Sequence, residues 1–367
     1  MSLRLGEREA LFAVSAVLVL VPFFVVTFPP ITDLPQHLAQ IRLLGEAVAD
    51  PGGPYRIQWW TPYGLSYALL LLCRAIAPPL SAGRLMCALV ALLWVVTAHA
   101  LAAKRGRSPL AAVLASLFVF GNVLYWGFLS FALGWPLFAA WMHLTSREAR
   151  GPSRLLLLTA LGLALYWCHA LWLLAAVAWT GVVTIADVGR RARERGALGF
   201  RSLRPQLVRA GALAPAVVAL ALWTPGFQDS GMRTAAFWKA NPLTRLTPEW
   251  LVHAVLGGLR GPFEGLALSV VAVWVFLGIA AHRGRLREAV DSHLLLAASL
   301  LGLFALVLPD SYMTTIELPQ RWMPSAATLL LLGLPAPPLR PVLLRIAVVS
   351  FVAVFVAVTA VKWVAFE

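Results

Sequence analysis

Apolar runs near or above the ~20 residues that cross a bilayer as a helix recur along this chain from end to end, beginning with Leu11 to Phe28. Backbone amides and carbonyls find no water inside a bilayer, so such runs must satisfy their own hydrogen bonds as helices. The 367 residues are 60% hydrophobic and 13% charged, against about a quarter charged in soluble domains. A soluble enzyme is thereby excluded. No polar stretch exceeds about 40 residues, too little for an independent core, so residues 1–367 read as a single integral-membrane domain.

The predicted spans after the first are 84–103, 110–126, 129–146, 155–168, 171–187, 210–224, 265–281, 293–308, 323–335 and 341–361. The fold expected is thus all-α, a polytopic transmembrane bundle of about 11 spans, with the N-terminus cytoplasmic and the C-terminus outside. The segment Pro62 to Leu80 sets the parity, because it is apolar but interrupted by Arg74 and closed by Pro78-Pro79. If it does not cross, the cytoplasmic side holds Arg4, Arg8, Lys104-Arg105, Arg107, Arg147, Arg150, Arg154, the seven arginines from Arg190 to Arg209, Arg283, Arg285, Arg287, Arg340 and Arg345. These are 20 of the 30 Lys and Arg. The positive-inside bias therefore makes 62–80 a re-entrant or juxtamembrane segment. The hairpins 110–146 and 154–187 are short for paired full spans, which leaves room for a cavity at their outer ends. No internal repeat is apparent, against an inverted-repeat transporter.

The net charge of +14 comes from clusters between apolar runs, where topology explains it, so no nucleic-acid partner is read from it. Only Lys104, Lys239 and Lys362 break the dominance of arginine. With abundant Ala, Gly and Pro, this composition points to a GC-rich bacterial genome and to a multi-pass protein of the cytoplasmic (inner) membrane. Cys73, Cys87 and Cys168 lack CxxC spacing and lie in apolar stretches, so neither a disulfide nor a metal site is expected. The first apolar run exceeds a signal-peptide core and ends in Phe28-Pro29-Pro30 without a small-x-small cleavage site, so it is expected to remain as the first span.

This topology places three non-spanning regions outside: 29–83, 225–264 and 309–322. The first opens Pro30-Ile31-Thr32-Asp33-Leu34-Pro35-Gln36-His37 and continues with Leu34, Leu38, Ile41 and Val48 on one stripe, the pattern of a helix lying on the membrane. Asp33, Gln36, His37 and Gln40 share the adjoining face, so a carboxylate and an imidazole one turn apart would point together. Two readings of Asp33 compete. It is either a general base, its proton affinity tuned by apolar surroundings and by His37, or an N-cap completed by Pro35 and Gln36.

Further candidates are Trp59, Trp60 and Tyr63, which suit either an interfacial aromatic belt or stacking on sugar rings, and Arg74, a cation in an apolar segment that needs a carboxylate or phosphate. The second region offers Arg233 and Arg245 for phosphate or for headgroups, with a helix expected from Thr247-Pro248-Glu249-Trp250. In the third, Arg321 could bind phosphate or pair with Glu317. His169 could line the same cavity or serve as a hydrogen-bonded core histidine. No HExxH, Walker A, GxGxxG or GxSxG element appears where it could work.

A first span ending outside at an acidic residue, followed by a juxtamembrane helix, a semi-apolar re-entrant stretch and a ladder of spans, resembles the GT-C superfamily of polytopic glycosyltransferases. The resemblance covers most of the architecture and few residues. It implies a sugar donor on polyprenyl phosphate, a glycan or lipid acceptor, membrane lipids as surroundings, and Asp33 as the catalytic base. Members that bind a divalent metal carry a second acidic residue in the next outer loop. Here that place reads Asn122-Val123-Leu124-Tyr125-Trp126-Gly127, so the chain looks more like the single-aspartate, metal-independent members and no cofactor is expected. By position only Asp33 matches the family's element; the residues themselves add His37 as its catalytic companion, with Arg74, Arg321, Arg233, Arg245, Trp59, Trp60, Tyr63 and His169 as substrate-binding candidates. The rival expectation is a non-enzymatic carrier, flippase or accessory subunit for lipid-linked glycans, which needs the arginines but not the carboxylate.

Overall fold

A computed structural model describes residues 5–146, 152–195, 200–228, 235–239, 241–259, 261–313 and 315–367. Apart from one two-stranded hairpin its regular structure is helical. In chain order the helices are α1 (Leu5–Phe24), α2 (Leu34–Ala49), α3 (Gly64–Ile76), α4 (Pro79–Lys104), α5 (Pro109–Ala115), α6 (Asn122–Trp126), α7 (Leu129–Thr145), α8 (Pro152–Cys168), α9 (Ala170–Arg195), α10 (Phe200–Gln228), α11 (Pro248–Val255), α12 (Pro262–His282), α13 (Leu286–Ala289), α14 (Ser292–Val307), α15 (Leu318–Gly333) and α16 (Pro341–Phe366). The hairpin pairs β1 (Ser311–Tyr312) with β2 (Thr315–Ile316) antiparallel.

A helix stands at each predicted span, and among the described residues six helical stretches are long and apolar enough to cross a membrane: Pro79–Lys104, Pro109–Trp126, Ala170–Arg193, Pro205–Pro225, Pro262–Ala289 and Pro341–Phe366. The expectation of about 11 spans is wider than this set. α8 has 17 residues, α14 and α15 have 16 each, and at 1.5 Å per residue each falls short of the ~30 Å hydrocarbon layer. α1 carries Glu7, Arg8 and Glu9 in its first turns, which shortens its apolar part. α3, the segment that set the parity, has 13 residues. Its length is about 20 Å, two thirds of the layer.

The chain divides into two compact units, one of Met1–Ile41, Leu70–Leu129 and Thr234–Glu367, the other of Arg42–Leu69 and Ser130–Arg233. In the first, α1 packs on α4 and α16, α14 on α15, and α5 with α6 lies against α15. The stretch 109–126 is not a continuous α-helix: α5 gives way to a 3-10 turn at Ser116–Phe120 and then to α6. Gly121 stands between the 3-10 turn and α6, where a Cβ would lie 2.5 Å from the Val255 carbonyl oxygen. Gly83 lets α2 approach α4, with Leu34 and Leu38 against its bare Cα. Leu34 and Ile41 are buried as the stripe predicts, whereas Val48 is exposed.

In the second unit α8, α9 and α10 pack together, and α7 is tied to α9 by indole hydrogen bonds. Trp172 Nε1 donates to the Phe131 carbonyl (2.6 Å), Trp141 Nε1 to Thr180 Oγ1 (3.3 Å) and Trp179 Nε1 to Thr145 Oγ1 (3.2 Å). Each tryptophan is fully buried, so each indole needs its partner.

Candidate functional site

The segment leaving α1 is held to the end of α6 by two successive backbone bonds, Thr32 N to Tyr125 O (2.8 Å) and Asp33 N to Trp126 O (3.1 Å). Gly127 permits this approach. Its φ is +84°, and a Cβ there would stand 2.9 Å from Asp33 Cβ and 3.0 Å from Asp33 N. Asp33 directly precedes α2, and its carbonyl accepts the His37 amide at 3.0 Å. It thus occupies the N-cap position of the competing reading. Yet among the described residues its half-buried carboxylate accepts no hydrogen bond and makes no ion pair.

His37 does not turn to Asp33. Its Nε2 lies 2.8 Å from the Gly127 carbonyl oxygen, and because a carbonyl only accepts, that nitrogen carries a proton. Imidazole and carboxylate are therefore organised by the same glycine without a bond between them. Beyond it Phe128 offers its ring to Arg321, whose Cζ sits 3.5 Å from the ring centroid, a cation–π contact in a desolvated setting. Arg321 is buried (6% exposed) and donates through Nε to the Ile316 carbonyl (2.9 Å). The alternative Glu317 pairing is not what the side chains do. Glu317 takes Lys239 Nζ at 2.6 Å.

Beside this loop lies an open cavity of ≈810 Å³. Phe28 to Thr32 and Pro35 form one wall, α6 a second, Gly257-Gly258-Leu259 a third and the end of α16 a fourth. Thr32 and Pro35 both line it, which sets Asp33 at its rim. Gly258 has no room for a side chain, since a Cβ would strike the Tyr125 ring. Leu259 N is received by the buried Glu264 (Oε1, 2.6 Å). Asn122 lines the cavity, is 3% exposed and leaves its Nδ2 without a partner among the described residues. On the neighbouring α15, Gln320 leaves Oε1 unmatched.

The other predicted cations lie elsewhere. Arg245 is 3% exposed, donates through Nη1 to the carbonyls of Ala305, Leu306 and Leu308, and pairs through Nη2 with Asp310 (3.1 Å). Its donors already close the end of α14. Arg74 is exposed and donates to the Ala77 carbonyl at 3.2 Å, which meets the need for a partner that its apolar helix implied. Arg233 lies outside the described residues. Within the second unit His169, 2% exposed, bridges α8 and α9: its Nδ1 accepts the Leu171 amide (3.2 Å) and its ring meets Tyr63 and Phe131 edge-on. Trp59 and Trp60 are exposed by 57% and 79%, the Trp60 carbonyl accepting Tyr166 Oη–H at 2.8 Å.

Among the described residues no three His, Cys, Asp or Glu side chains cluster to hold a metal ion. Comparison with known protein families, with curated proteins and with solved structures finds no match for this chain. Sequence reasoning missed Gly127 and Phe128, which organise Asp33, His37 and Arg321, and the contribution of Lys362 and Trp363 to the cavity. The signals were faint: a glycine after a Tyr-Trp pair, and one of only three lysines placed near the end of an apolar run.

Proposed function

We propose that this protein is a membrane glycosyltransferase that moves a sugar from a polyprenyl-phosphate donor to an acceptor hydroxyl on the extracytoplasmic face of a bacterial inner membrane. The observation that carries the reading is the state of Asp33, held by backbone bonds to α6 and left with a carboxylate that has no partner among the described residues. A fixed, half-buried and unspent carboxylate is what a general base requires, because capping or ion pairing would occupy its oxygens and weaken its hold on the proton it must take. Asp33 takes the acceptor hydroxyl proton, the oxygen attacks the anomeric carbon, and the bond from that carbon to the phosphate oxygen breaks. Its electron pair departs with polyprenyl phosphate, and the sugar centre inverts. Arg321, already desolvated beside Phe128, is the cation best placed in this unit to favour the leaving phosphate. His37 holds the loop geometry through Gly127.

The test is release of polyprenyl phosphate from defined polyprenyl-phosphate sugars by the protein in lipid nanodiscs, followed by mass spectrometry. Asp33→Asn should lower release by roughly 10²–10⁴-fold, the usual contribution of a general base, while unfolding at the wild-type temperature. Undiminished release by Asp33→Asn would refute the base assignment. The open, mainly apolar cavity also favours a second reading, a carrier that holds a lipid-linked glycan without reacting. Donor bound but never released by wild-type protein, with Asp33→Asn behaving identically, would select the carrier.

A further inference from the structure

The cavity beside Asp33 holds polar groups that neither reading uses. Asn122 sits at the start of α6, all but buried, with Nδ2 lacking an acceptor among the described residues. Leaving such a donor unmatched in a buried site is costly, and the cavity it lines is where an acceptor can enter. Tyr125, one turn along, accepts Trp363 Nε1–H at its hydroxyl (3.0 Å), which leaves the hydroxyl proton to be donated. Lys362 projects from α16, its Nζ donating to the Leu259 carbonyl at 3.3 Å. An ammonium has three protons, so two remain.

These three groups are donors from two directions, and Lys362 is the one charged side chain among the described residues lining the cavity, with the Asp33 carboxylate at its rim rather than in its wall. The acids behind the wall are committed to backbone amides, Glu264 to Leu259 N (2.6 Å) and Glu367 to Thr27 N (3.0 and 3.2 Å). The remaining lining is Pro, Phe, Trp, Ile, Leu, Ala and Gly, with Thr32. A wall of donors with a single positive charge, set in an apolar surround, complements a singly charged oxyanion attached to an apolar body. We propose that this cavity binds the phosphodiester head group of an anionic membrane lipid, with Asn122, Tyr125 and Lys362 as its donors and the aromatic wall of Phe28, Trp126 and Trp363 against the adjoining chain. A phosphodiester presents two free oxygens and two ester oxygens, enough acceptors for three donors. The lipid stays whole, so the inference does not depend on the transfer reaction.

The experiment uses the full-length protein in detergent, with no sugar donor present, and native mass spectrometry to count retained lipid. Phosphatidylglycerol is the anionic probe, phosphatidylcholine the zwitterionic one, diacylglycerol the headless one and inorganic phosphate the soluble one. One phosphatidylglycerol should be retained, tenfold or more tightly than phosphatidylcholine or diacylglycerol. Lys362→Gln, at an exposed position, and Asn122→Leu should each weaken retention by about tenfold, the loss of one charge-assisted hydrogen bond. Competition by inorganic phosphate at millimolar concentration would show that the donors read the oxyanion itself; no competition would show that the lipid body is also needed. Either result fits the proposal. Diacylglycerol retained as tightly as phosphatidylglycerol, or wild-type retention in Lys362→Gln, would overturn it. Asp33 is intact throughout and no turnover is read, so failure here leaves the transferase reading standing and failure of transfer leaves this one standing.

Discussion

Gly127 does more for the proposed site than any residue that carries chemistry. Its positive φ is one demand and the contact with Asp33 is another, and substitution can separate them. Alanine costs about 1–2 kcal/mol in the left-handed region, whereas asparagine tolerates that region. Both carry a Cβ, and at this position the Cβ would lie 2.9 Å from that of Asp33. Gly127→Asn is therefore expected to lower the unfolding temperature through the contact alone, less than Gly127→Ala does, and both should lose transfer with the carboxylate chemically intact. A wild-type melting curve for Gly127→Asn in detergent would show that φ alone matters. Arg245 and Asp310 make a second prediction of this kind. They are 3% and 6% exposed and pair at 3.1 Å, so removing one leaves a buried charge without its partner. Arg245→Met is expected to cost about 3–5 kcal/mol. Arg245→Met with Asp310→Asn should recover part of that loss in a thermal unfolding series, because the stranded charge is gone.

Where helices end, the structure relies on side chains that reach across to another element. Arg107, between α4 and α5, donates through Nε to the Leu332 carbonyl (2.8 Å), through Nη1 to Ala289 (2.9 Å) and through Nη2 to Gly333 (3.0 Å). One guanidinium thus closes the carbonyl end of α15 and the approach to α14, whose N-cap Asp291 accepts the Leu294 amide at 3.0 Å. Asp291 N in turn donates to the Gly333 carbonyl (2.8 Å). The α14–α15 pair is held at this end by a planar fork that lysine cannot reproduce. Arg107→Lys should recover little of the roughly 4–5 kcal/mol expected for Arg107→Ala, the low end for three charged hydrogen bonds; equal melting temperatures for Arg107→Lys and wild type would contradict this. The same reasoning covers α11, whose first turn is closed by Thr247 Oγ1 accepting Trp250 N at 3.4 Å.

Orientation in the membrane rests on the distribution of arginine, and it can be measured on the whole molecule. Cys73, Cys87 and Cys168 are buried and free, so single introduced cysteines should dominate labelling by an impermeant maleimide. Arg285 and Trp60 are both exposed. Trp60→Cys should label in intact cells and Arg285→Cys only after lysis. The reverse pattern would invert the topology and place the Asp33 site on the cytoplasmic side, where a polyprenyl-phosphate donor loses its rationale.

The helical, membrane-embedded character of this chain was legible in composition and in the spacing of apolar runs, because burying backbone polar groups in lipid leaves a helix as their simplest solution. The start of α11, the buried stripe of α2 and the position of Asp33 ahead of a helix were legible too, since caps, periodicity and proline act over a few residues. What local pattern could not show was which polar side chains are already spent. Arg245 and Arg74 read as free cations and prove to be held by carbonyls of their own chain. His37 reads as the companion of Asp33 and instead bonds Gly127, 90 residues away. The span 110–126 reads as continuous, yet a 3-10 turn at Ser116–Phe120 interrupts it just ahead of Gly121, which abuts a distant carbonyl. Each of these outcomes depends on contacts between residues far apart in the chain, and hydrogen bonds of that range are set by packing, which a linear pattern does not encode.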